Sequence, residues 1–358
     1  MEANSISLFT ATLLYNGIVV AILGLAVYSF RVQPNWLRLV AGAATLLGTT
    51  LLLALIMCVP EGRVLRAARL LCFGWFVHVP LFLLAACFFS KDKILRAIAG
   101  LFIAVAIGIV VFCFWIEPFR LEVTHYYVKS AKVDRELKLA LLADFQTDEF
   151  KAYQENALRR LMEEKPDAIF MAGDYLQSET LEGWEVLRDR TNSFLREIHF
   201  AAPLGCFGVG GNTDFRRWPQ IFSGFDAELF PETRTVETDA FVVTGYSVMD
   251  SFGTEVSAPA TEKFHIALGH APDFSLSAHV QADLLLAGHT HGGQVRLPLI
   301  GPLVTFSAVP RAWAAGMTQI DQNRTLVVSR GVGMERRDAP RLRFLCRPEL
   351  AFIHVVPE

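Results

Sequence analysis

Five hydrophobic stretches in the second part of the chain each end on residues that can bind a metal ion. They are residues 139–144, 168–174, 206–212, 264–270 and 284–291, which end on Asp144, Asp174, Asn212, His270 and His291. A short apolar run bounded by turn residues fits a buried strand, and open α/β sheets place their chemistry at the carboxyl ends of such strands. The recurrence predicts a metal-dependent hydrolase.

Helical patterns lie between these predicted strands. Residues 153–165, closed by Pro166, and residues 181–198 have apolar side chains at about helical spacing. Alternating strand and helix favours βαβ units. The later part of the chain is richer in strands, which we predict at residues 240–246, 326–329 and 350–356.

The first third of the chain is far more apolar than the rest. The overall hydrophobic fraction of 53% and charged fraction of 19% hide this contrast. Residues 6–30, 37–58, 70–89 and 94–119 each supply about 20 or more mostly apolar residues, enough to cross a hydrocarbon core. We predict a transmembrane region with four helices at residues 1–119, a linker at 120–136 and a soluble domain at 137–358.

A cleaved signal peptide is the alternative interpretation of the first apolar run. The run is too long for one, Met1 and the four residues after it include no basic residue, and three further predicted spans follow. We therefore expect a retained anchor and a multi-pass integral membrane protein.

The side of the membrane is weakly indicated by basic residues. An even number of spans puts both termini on one side, where seven Lys and Arg residues lie near the spans against five on the other. The positive-inside rule then leans toward a cytoplasmic catalytic domain. A net charge of −3, with no basic run longer than Arg336 and Arg337, gives no case for nucleic-acid binding.

Six residues at the predicted strand ends form a mixed set of metal donors. Carboxylates, an amide oxygen and imidazoles together suit Mn, Fe or Zn better than an all-oxygen calcium cage; the set is Asp144, Asp174, Asn212, His270, His289 and His291. Two divalent ions about 3.5–4 Å apart need a shared ligand, and a carboxylate can bridge them. Asp174 is our candidate for that bridge.

Each of these residues has an ordinary alternative role when taken alone. A single Gly-Asp after a strand is usually a turn, and an isolated histidine is usually a hydrogen-bonded polar residue. The sequence Gly288-His289-Thr290-His291 is more specific, because both histidines can point at one cluster only in a tight turn, which glycine permits.

Taken together, the motifs resemble the calcineurin-like metallophosphoesterase superfamily. Its pattern of Asp-x-His, Gly-Asp, Gly-Asn-His-Asp or Glu, Gly-His and Gly-His-x-His is similar to the residues at 144–146, 173–174, 211–214, 269–270 and 288–291. The GHTHGGQ motif from Gly288, followed by Gly301-Pro302, resembles the membrane-associated branch of that superfamily. The later Arg330-Gly331-Val332-Gly333 resembles the same branch.

The resemblance implies a fold, a metal centre and a reaction. The fold is an α/β metallophosphoesterase domain with two mixed β-sheets packed face to face and flanked by helices. One ion is held by Asp144, Asp174 and His291, and the other by Asp174, Asn212, His270 and His289. The implied catalytic residues are Asp174, Asn212 and His270, and a hydroxide that bridges the metals attacks phosphorus in line.

Two positions depart from the superfamily pattern. Gln146 stands where the His of Asp-x-His is expected; its amide oxygen is a further candidate metal ligand, and it would favour a harder ion such as Mn or Mg. Thr213 stands where the His of Gly-Asn-His-Asp is expected, so an imidazole that would protonate a leaving group is missing. General-acid help is typically worth about 10² to 10⁴-fold, so a good leaving group such as phosphate is favoured.

The substrate prediction follows from this second departure. Enzymes of the superfamily that hydrolyse the pyrophosphate of UDP-2,3-diacylglucosamine also lack this His and have Gly-Asn-Arg-Asp-Phe, which resembles residues 211–215. We therefore predict a membrane-anchored phosphohydrolase, with Mn the first choice of metal, acting on a phosphodiester or pyrophosphate that is lipid-linked.

Two other functional classes stay open at this point. One is a phosphodiesterase of similar fold that acts on soluble nucleotides, in which the membrane part serves only to localise the enzyme. The other is a degenerate metal-binding sensor or scaffold, which the residues at Gln146 and Thr213 suggest. The presence of His270, His289 and His291 argues against it.

Two sets of arginines would contact anionic groups or form surface pairs. They are Arg216 with Arg217, and a later group of Arg296, Arg330, Arg336, Arg341 and Arg343.

Overall fold

The structure is a computed structural model that describes residues 7–358, apart from the side chain of Glu61. The predicted start of the first span at residue 6 and the prediction for residues 1–5 lie outside the described residues. The chain divides into two compact units. One comprises residues up to 115 together with 335–341, and the other comprises residues 116–334 and 342–358.

The first unit is built from apolar helices. They are α1 Leu8–Val32, α2 Trp36–Cys58, α3 Val64–Phe73, α4 Val79–Phe89 and α5 Lys93–Val111. A π-helical turn at Gly74–His78 joins α3 to α4, so the described residues contain four continuous helical segments that are long and apolar enough to cross a membrane. The prediction of four spans is confirmed by the length and composition of these segments.

Polar side chains mark where several of these helices begin. The side chains of Ser7, Asn35 and Asp92 accept hydrogen bonds from backbone N–H groups in the first turns of α1, α2 and α5. Such caps satisfy donors that have no partner inside the helix. These polar residues, which lie just before the apolar runs, therefore determine where α1, α2 and α5 begin.

The third span begins earlier than predicted, at Val64 rather than residue 70. The reason is a pairing within this unit. Arg66 is only 4% exposed, and its Nε and Nη2 atoms donate to Oδ1 of Asp338 at 3.2 and 3.1 Å. Arg69 donates through Nη1 to the carbonyl of Arg337 at 2.7 Å. These partners let the helix include two arginines that the sequence pattern assigns to a polar connection.

The second unit alternates strands and helices. In chain order they are β1 Glu122–Lys129, β2 Leu137–Leu142, α6 Ala152–Glu163, β3 Ala168–Met171, α7 Leu181–Glu197, β4 Cys206–Val209, β5 Ala227–Phe230, β6 Arg234–Glu237, β7 Val242–Gly245, α8 Val248–Ser251, β8 His265–Leu268, β9 Leu284–Ala287, β10 Arg296–Leu297, β11 Gly301–Pro302, β12 Gly316–Gln319, β13 Thr325–Val328 and β14 Glu349–Val356. The predicted helices at 153–165 and 181–198 correspond to α6 and α7.

Two six-stranded sheets form the framework of this unit. The strand orders are β1-β14-β2-β3-β4-β5 and β12-β13-β9-β8-β7-β6. Strands β2 to β5 are parallel, as are β7, β8, β9 and β13, whereas β14 runs antiparallel to β2 and both β6 and β12 run antiparallel to their neighbours. Both sheets are therefore mixed.

The core lies between the two sheets. Leu139 and Leu141 of β2 point into the same buried cluster as Ile266 of β8 and Leu286 of β9. The alternate residues of β2, such as Leu142, face the opposite side, where α6 and α7 pack. Two mixed sheets packed face to face with helices outside confirm the predicted fold class.

Part of the predicted linker is a strand. Within residues 120–136, β1 pairs in parallel with β14, from Glu122 opposite Glu349 to Lys129 opposite Val356. Residues 121–128 alternate in polarity, which is typical of a strand, but the pairing partner lies more than 200 residues later in the chain.

Candidate metal centre

The five predicted stretches all lead to one region of the second unit. Strands β2, β3, β4, β8 and β9 end two or three residues before Asp144, Asp174, Asn212, His270 and His289, respectively. Because all five strands have parallel neighbours, their carboxyl ends meet at the same edge of each sheet. The loops that follow them bring residues from both sheets together.

Two carboxylates and one imidazole form the centre of this region. His270 Nδ1 lies 4.0 Å from Oδ1 of Asp144, and His270 Nε2 lies 3.7 Å from Oδ2 of Asp174. All three side chains are buried, and potential ligand atoms of the three lie within 4.8 Å of one another. Two buried carboxylates at this separation repel each other, and a bound cation removes that cost. The donor set therefore fits a metal ion.

His270 is held in one tautomer. Its Nδ1–H donates to the carbonyl of Ala172 at 2.8 Å, and burial lowers the pKa of His270 to about 4, so the ring is neutral at pH 7. The lone pair is then on Nε2, which lies 2.7 Å from Oδ1 of Asn212. An imidazole lone pair and an amide oxygen facing each other are two acceptors, which suits a shared cation.

His289 joins the same group of residues. Its ring centroid lies 5.0 Å from that of His270, and its backbone N–H donates to both carboxylate oxygens of Asp144 at 2.9 Å. Its Nε2–H donates to the carbonyl of Phe306 at 3.1 Å, which leaves Nδ1 with the lone pair. Burial, followed by the neighbouring His270, lowers the pKa of His289 to about 4. The neutral ring is the form that binds metals.

Gln146 and His291, the remaining candidate ligands, are both buried beside this group. The backbone N–H of Gln146 donates to the carbonyl of Asp174 at 2.7 Å. The carbonyl of His291 accepts a hydrogen bond from Sγ of Cys346 at 3.2 Å. Their main chains are thus fixed at the site, and their roles as metal ligands stay predictions.

The candidate ligands have an unusual backbone conformation. Five of them lie in the left-handed region, with φ of 46° at Asp144, 34° at Gln146, 53° at Asp174, 68° at His289 and 48° at His291. This region is unfavourable for residues other than glycine, and such strain is concentrated at functional sites. The sharp turns after these strands direct the candidate ligands toward the same region.

The glycines of the motifs serve two purposes. The sequence predicted that glycines around His289 and His291 permit a tight turn, and Gly292 and Gly293 do take the left-handed conformation, with φ of 61° and 83°, which the two histidines share. A Cβ atom at Gly288 would lie 2.7 Å from Oδ2 of Asp144, and one at Gly211 would lie 2.1 Å from Oδ1 of Asp174. These two glycines are required because the carboxylates approach their backbone closely.

Asp214 holds two of the site loops together. Its carboxylate accepts hydrogen bonds from the backbone N–H groups of Gly211, Asp174 and Tyr175, each at 2.8 Å. Burial and the charge of Asp174 raise the pKa of Asp214 to about 8, and the three N–H bonds act in the opposite direction. A carboxylate beside a metal ligand could orient a histidine or a water, but the observed partners of Asp214 are main-chain N–H groups.

Thr213 lies next to the central carboxylate. Its backbone N–H donates to Oδ1 of Asp174 at 2.8 Å. Its hydroxyl oxygen is buried and has no hydrogen-bond partner within residues 7–358. The residue that replaces the superfamily histidine therefore positions Asp174 through its main chain.

The arginines considered from the sequence have structural partners. Arg330 pairs with Glu122 at 2.9 Å and with Glu349 at 3.2 Å, and the buried Arg343 donates to main-chain carbonyls that include those of Gly331 and Gly333. Of the two predicted roles, pairing within the protein is therefore the one observed for Arg330, and Arg343 binds main-chain carbonyls. The exposed Arg217 lies 3.5 Å from Glu185, as a surface pair.

Sequence reasoning missed two contributors to the site. A Cβ atom at Gly331 would lie 2.6 Å from Cβ of Asp144, so this glycine makes room for a central carboxylate. Phe252 packs against His289 with ring centroids 4.8 Å apart. The Arg-Gly-Val-Gly motif contained a signal for Gly331, but no motif marks Phe252.

Comparison with known proteins agrees with this fold and geometry. Residues 137–293 match the model of the calcineurin-like phosphoesterase family, and this segment contains every candidate metal ligand. The second unit therefore carries a calcineurin-like metallophosphoesterase domain. The resemblance drawn from the motifs is thereby confirmed at the level of the superfamily.

Three bacterial relatives show how far the similarity extends. The uncharacterized metallophosphoesterase YkuE of Bacillus subtilis is 26% identical over 263 residues, which cover 66% of this chain and 86% of YkuE. Phosphodiesterase YaeI of Escherichia coli is 26% identical over 255 residues, covering 68% and 89% of the two chains. An uncharacterized metallophosphoesterase of Aquifex aeolicus is 26% identical over 264 residues, covering 67% and 94%. The similarity spans most of each relative.

Proposed function

We propose that this chain is a membrane-anchored phosphohydrolase that cleaves a phosphodiester or pyrophosphate bond in a lipid-linked substrate with two divalent metal ions. The observation that carries the proposal is the convergence of Asp144, Asp174 and His270, with the amide oxygen of Asn212 facing His270. The relative named phosphodiesterase YaeI supports this class of substrate bond.

The ligand assignment is taken from the resemblance to the superfamily, and the convergence of Asp144, Asp174 and His270 supports it. We assign Asp174 to both ions, with Asp144, Gln146 and His291 completing one site and Asn212, His270 and His289 completing the other. A donor set in which an amide takes the place of an imidazole favours Mn, and Fe, Zn or Mg are the alternatives. When bound, the ions supply Lewis acidity and lower the pKa of the attacking water.

The surrounding residues fix the orientation of the candidate ligands. The Thr213 N–H fixes Oδ1 of Asp174, and the Ala172 carbonyl fixes the ring of His270. Both partners keep the ligands oriented, and the hydrogen bond that the His270 ring donates also raises the basicity of its other nitrogen. Asp174, Asn212 and His270 are the proposed catalytic residues; His270 Nε2 lies 2.7 Å from Oδ1 of Asn212 and 3.7 Å from Oδ2 of Asp174.

The leaving group is inferred from Thr213. A threonine cannot replace an imidazole as a general acid near pH 7, so the bond broken should have a leaving group that departs without a proton. A phosphate leaving from a pyrophosphate, or an activated phosphodiester, meets this condition. A nucleotide-linked acylated sugar such as UDP-2,3-diacylglucosamine combines a pyrophosphate with acyl chains.

The membrane part supports an amphiphilic substrate. Four helical segments of membrane-crossing length are more than a simple tether needs. A substrate confined to the same bilayer reaches an anchored active site at a raised local concentration. The excess of basic residues beside the spans favours placing the catalytic domain on the cytoplasmic side.

A substrate panel with the full-length protein in lipid nanodiscs tests the proposal. The metal-stripped protein is reloaded separately with Mn, Fe, Zn or Mg and assayed on a lipid-linked pyrophosphate, a soluble nucleotide phosphodiester, a small chromogenic phosphodiester and a phosphomonoester. We expect Mn-dependent turnover that is fastest on the lipid-linked pyrophosphate. Preference for the soluble nucleotide would instead favour the nucleotide phosphodiesterase, and metal binding without turnover of any substrate would favour a sensor.

A further inference from the structure

An apolar loop follows the Gly-rich motif of the metal centre. Strands β10 and β11 pair as a short antiparallel hairpin, with Leu299 and Ile300 in the turn. Large hydrophobic side chains are exposed throughout residues 299–306; they are Leu299, Ile300, Leu303, Val304 and Phe306. We call residues 297–306 the apolar loop. Five exposed apolar side chains within eight residues indicate an interaction site.

The backbone of the apolar loop directs its side chains outward at a conformational cost. Leu299 has φ of 67° and Phe306 has φ of 50°, in the left-handed region that residues with a side chain rarely adopt. Leu299 is fully exposed at the tip of the hairpin. A side chain presented in this way gains little from the rest of the described protein, so it is available to a partner.

The apolar loop is joined to the metal centre. The carbonyl of Phe306 accepts the Nε2–H of His289 at 3.1 Å. A Cβ atom at Gly293 would lie 2.3 Å from Cβ of Pro302, so the hairpin packs directly on the Gly-Gly pair that follows His291. Whatever the loop binds is therefore brought next to the candidate ligands.

The charges along the chain on either side of the apolar loop indicate the kind of partner, and a carboxylate bonded next to the loop, Asp273, is buried and accepts the N–H of Ala308 at 3.0 Å. Residues 284–320 contain no Asp or Glu, and Arg296 and Arg311 are their only Lys or Arg residues. Apolar side chains flanked by arginines match a membrane interface, where the hydrocarbon edge lies under anionic headgroups. A protein partner with an acidic groove would match the two arginines but not the apolar side chains.

We propose that the apolar loop inserts into the interface of a bilayer containing anionic phospholipids, which places the metal centre at the membrane surface. The inference rests on the membrane anchoring proposed above, because the spans keep a bilayer within reach. It adds a second, peripheral membrane contact that adjoins the site of reaction. An amphiphilic substrate could then present its phosphate to the metals with its acyl chains still in the bilayer.

Photolabelling in nanodiscs tests this contact without relying on catalysis. The full-length protein is placed in phosphatidylcholine and phosphatidylglycerol nanodiscs with a trace phospholipid that carries a diazirine in its acyl chain. After irradiation, mass spectrometry locates the adducts. We expect adducts both in the helices of residues 8–119 and in residues 297–306. Adducts in the helices alone would overturn the loop contact and leave the anchoring intact, whereas adducts in neither would overturn both.

Matched variants give a second readout. Leu299→Ser combined with Ile300→Ser removes the two most exposed side chains of the apolar loop, and adduct yield there should fall by about tenfold or more. Val186→Ser, which removes a side chain that is 66% exposed on α7, should leave the adducts unchanged.

Turnover of a small soluble phosphodiester separates a membrane contact from a role in the site. Both variant proteins should keep the wild-type rate on this substrate, because neither change touches a candidate ligand. Unchanged loop labelling in the double variant would overturn the proposal. A matching loss of soluble-substrate turnover would also overturn it, because the loop would then serve the metal centre itself.

Discussion

Asp214 fixes Asp174 through the peptide group of Asp174 rather than through its side chain. Oδ2 of Asp214 accepts the Asp174 N–H at 2.8 Å, and Oδ1 accepts the N–H of Tyr175 at the same distance. Oδ2 also accepts the N–H of Gly211. One carboxylate thereby locks the left-handed turn at Asp174 onto the loop that carries Asn212.

The first prediction concerns this lock. Asp214→Asn replaces an acceptor oxygen by an NH₂ group that must face a backbone N–H, so the Asp174 turn should loosen. Loss of such a partner typically lowers metal affinity or activity by about 10 to 100-fold. Calorimetric metal titration and phosphodiester turnover measure both. Asp226→Asn, the same change at an exposed carboxylate, is the control, and equal behaviour of the two variants would contradict the assignment.

The second prediction concerns the bridging carboxylate. Asp174→Ala should remove most of the bound metal and lower turnover by about 10³-fold, since two cations would then lack the shared anion between them. Metal content by mass spectrometry and turnover are measured on the same sample. Asp189→Ala, at an exposed position on α7, serves as the control. Full metal occupancy with normal turnover in Asp174→Ala would end the two-metal proposal.

The third prediction concerns Gln146. Gln146→His restores an imidazole at a buried position whose main chain is bonded to Asp174. Binding of Zn or Fe relative to Mn should tighten on the order of tenfold, because imidazole is the better donor for those ions. Competitive metal titration provides the measurement, with the exposed Gln322→His as the control for an added histidine. An unchanged preference would mean that this side chain does not reach an ion.

The fourth prediction uses a pair of glycines. Gly331 and Gly301 have φ of 70° and 81°, but only at Gly331 would a Cβ atom meet a neighbour, at 2.6 Å from Asp144. Gly301→Ala should cost about 1–2 kcal/mol of folding free energy from backbone strain alone. Gly331→Ala should cost roughly 1–3 kcal/mol more from crowding, and it should also weaken metal binding by moving Asp144.

Chemical denaturation and metal titration of both glycine variants check this prediction. The difference between the two free energies of unfolding isolates the contact with Asp144. Equal destabilisation with wild-type metal affinity would show that Gly331 is needed only for its backbone conformation.

Much of the framework could be predicted from local sequence. Apolar runs followed by Asp, Asn or His predicted where the central strands lie along the chain. A buried parallel strand requires consecutive apolar residues, and the turn after it requires polar or glycine residues, so both can be recognised locally. The approach of Gly331 to Asp144 could not be predicted in the same way, since it depends on contacts between residues 187 positions apart in the sequence. The left-handed conformation at the ligands likewise comes from tertiary constraints, not from residue preference.

The membrane part shows the same limit. Length and hydropathy predicted four spans, but not that α3 starts six residues before its apolar run. Arg66 is a poor candidate for a buried helical position until its partner Asp338 is known, and 272 residues separate the two. Pairing of distant charges is invisible to a local pattern.

The pairing of Arg66 with Asp338 also imposes an order on the making of the protein. The helices of residues 8–119 leave the ribosome, and can enter a bilayer, while the partner of Arg66 is still more than 200 residues from being synthesised. Until then a nascent chain carries an arginine without its carboxylate. Completion of the helical unit therefore waits until residues 335–341 have been synthesised, near the end of translation.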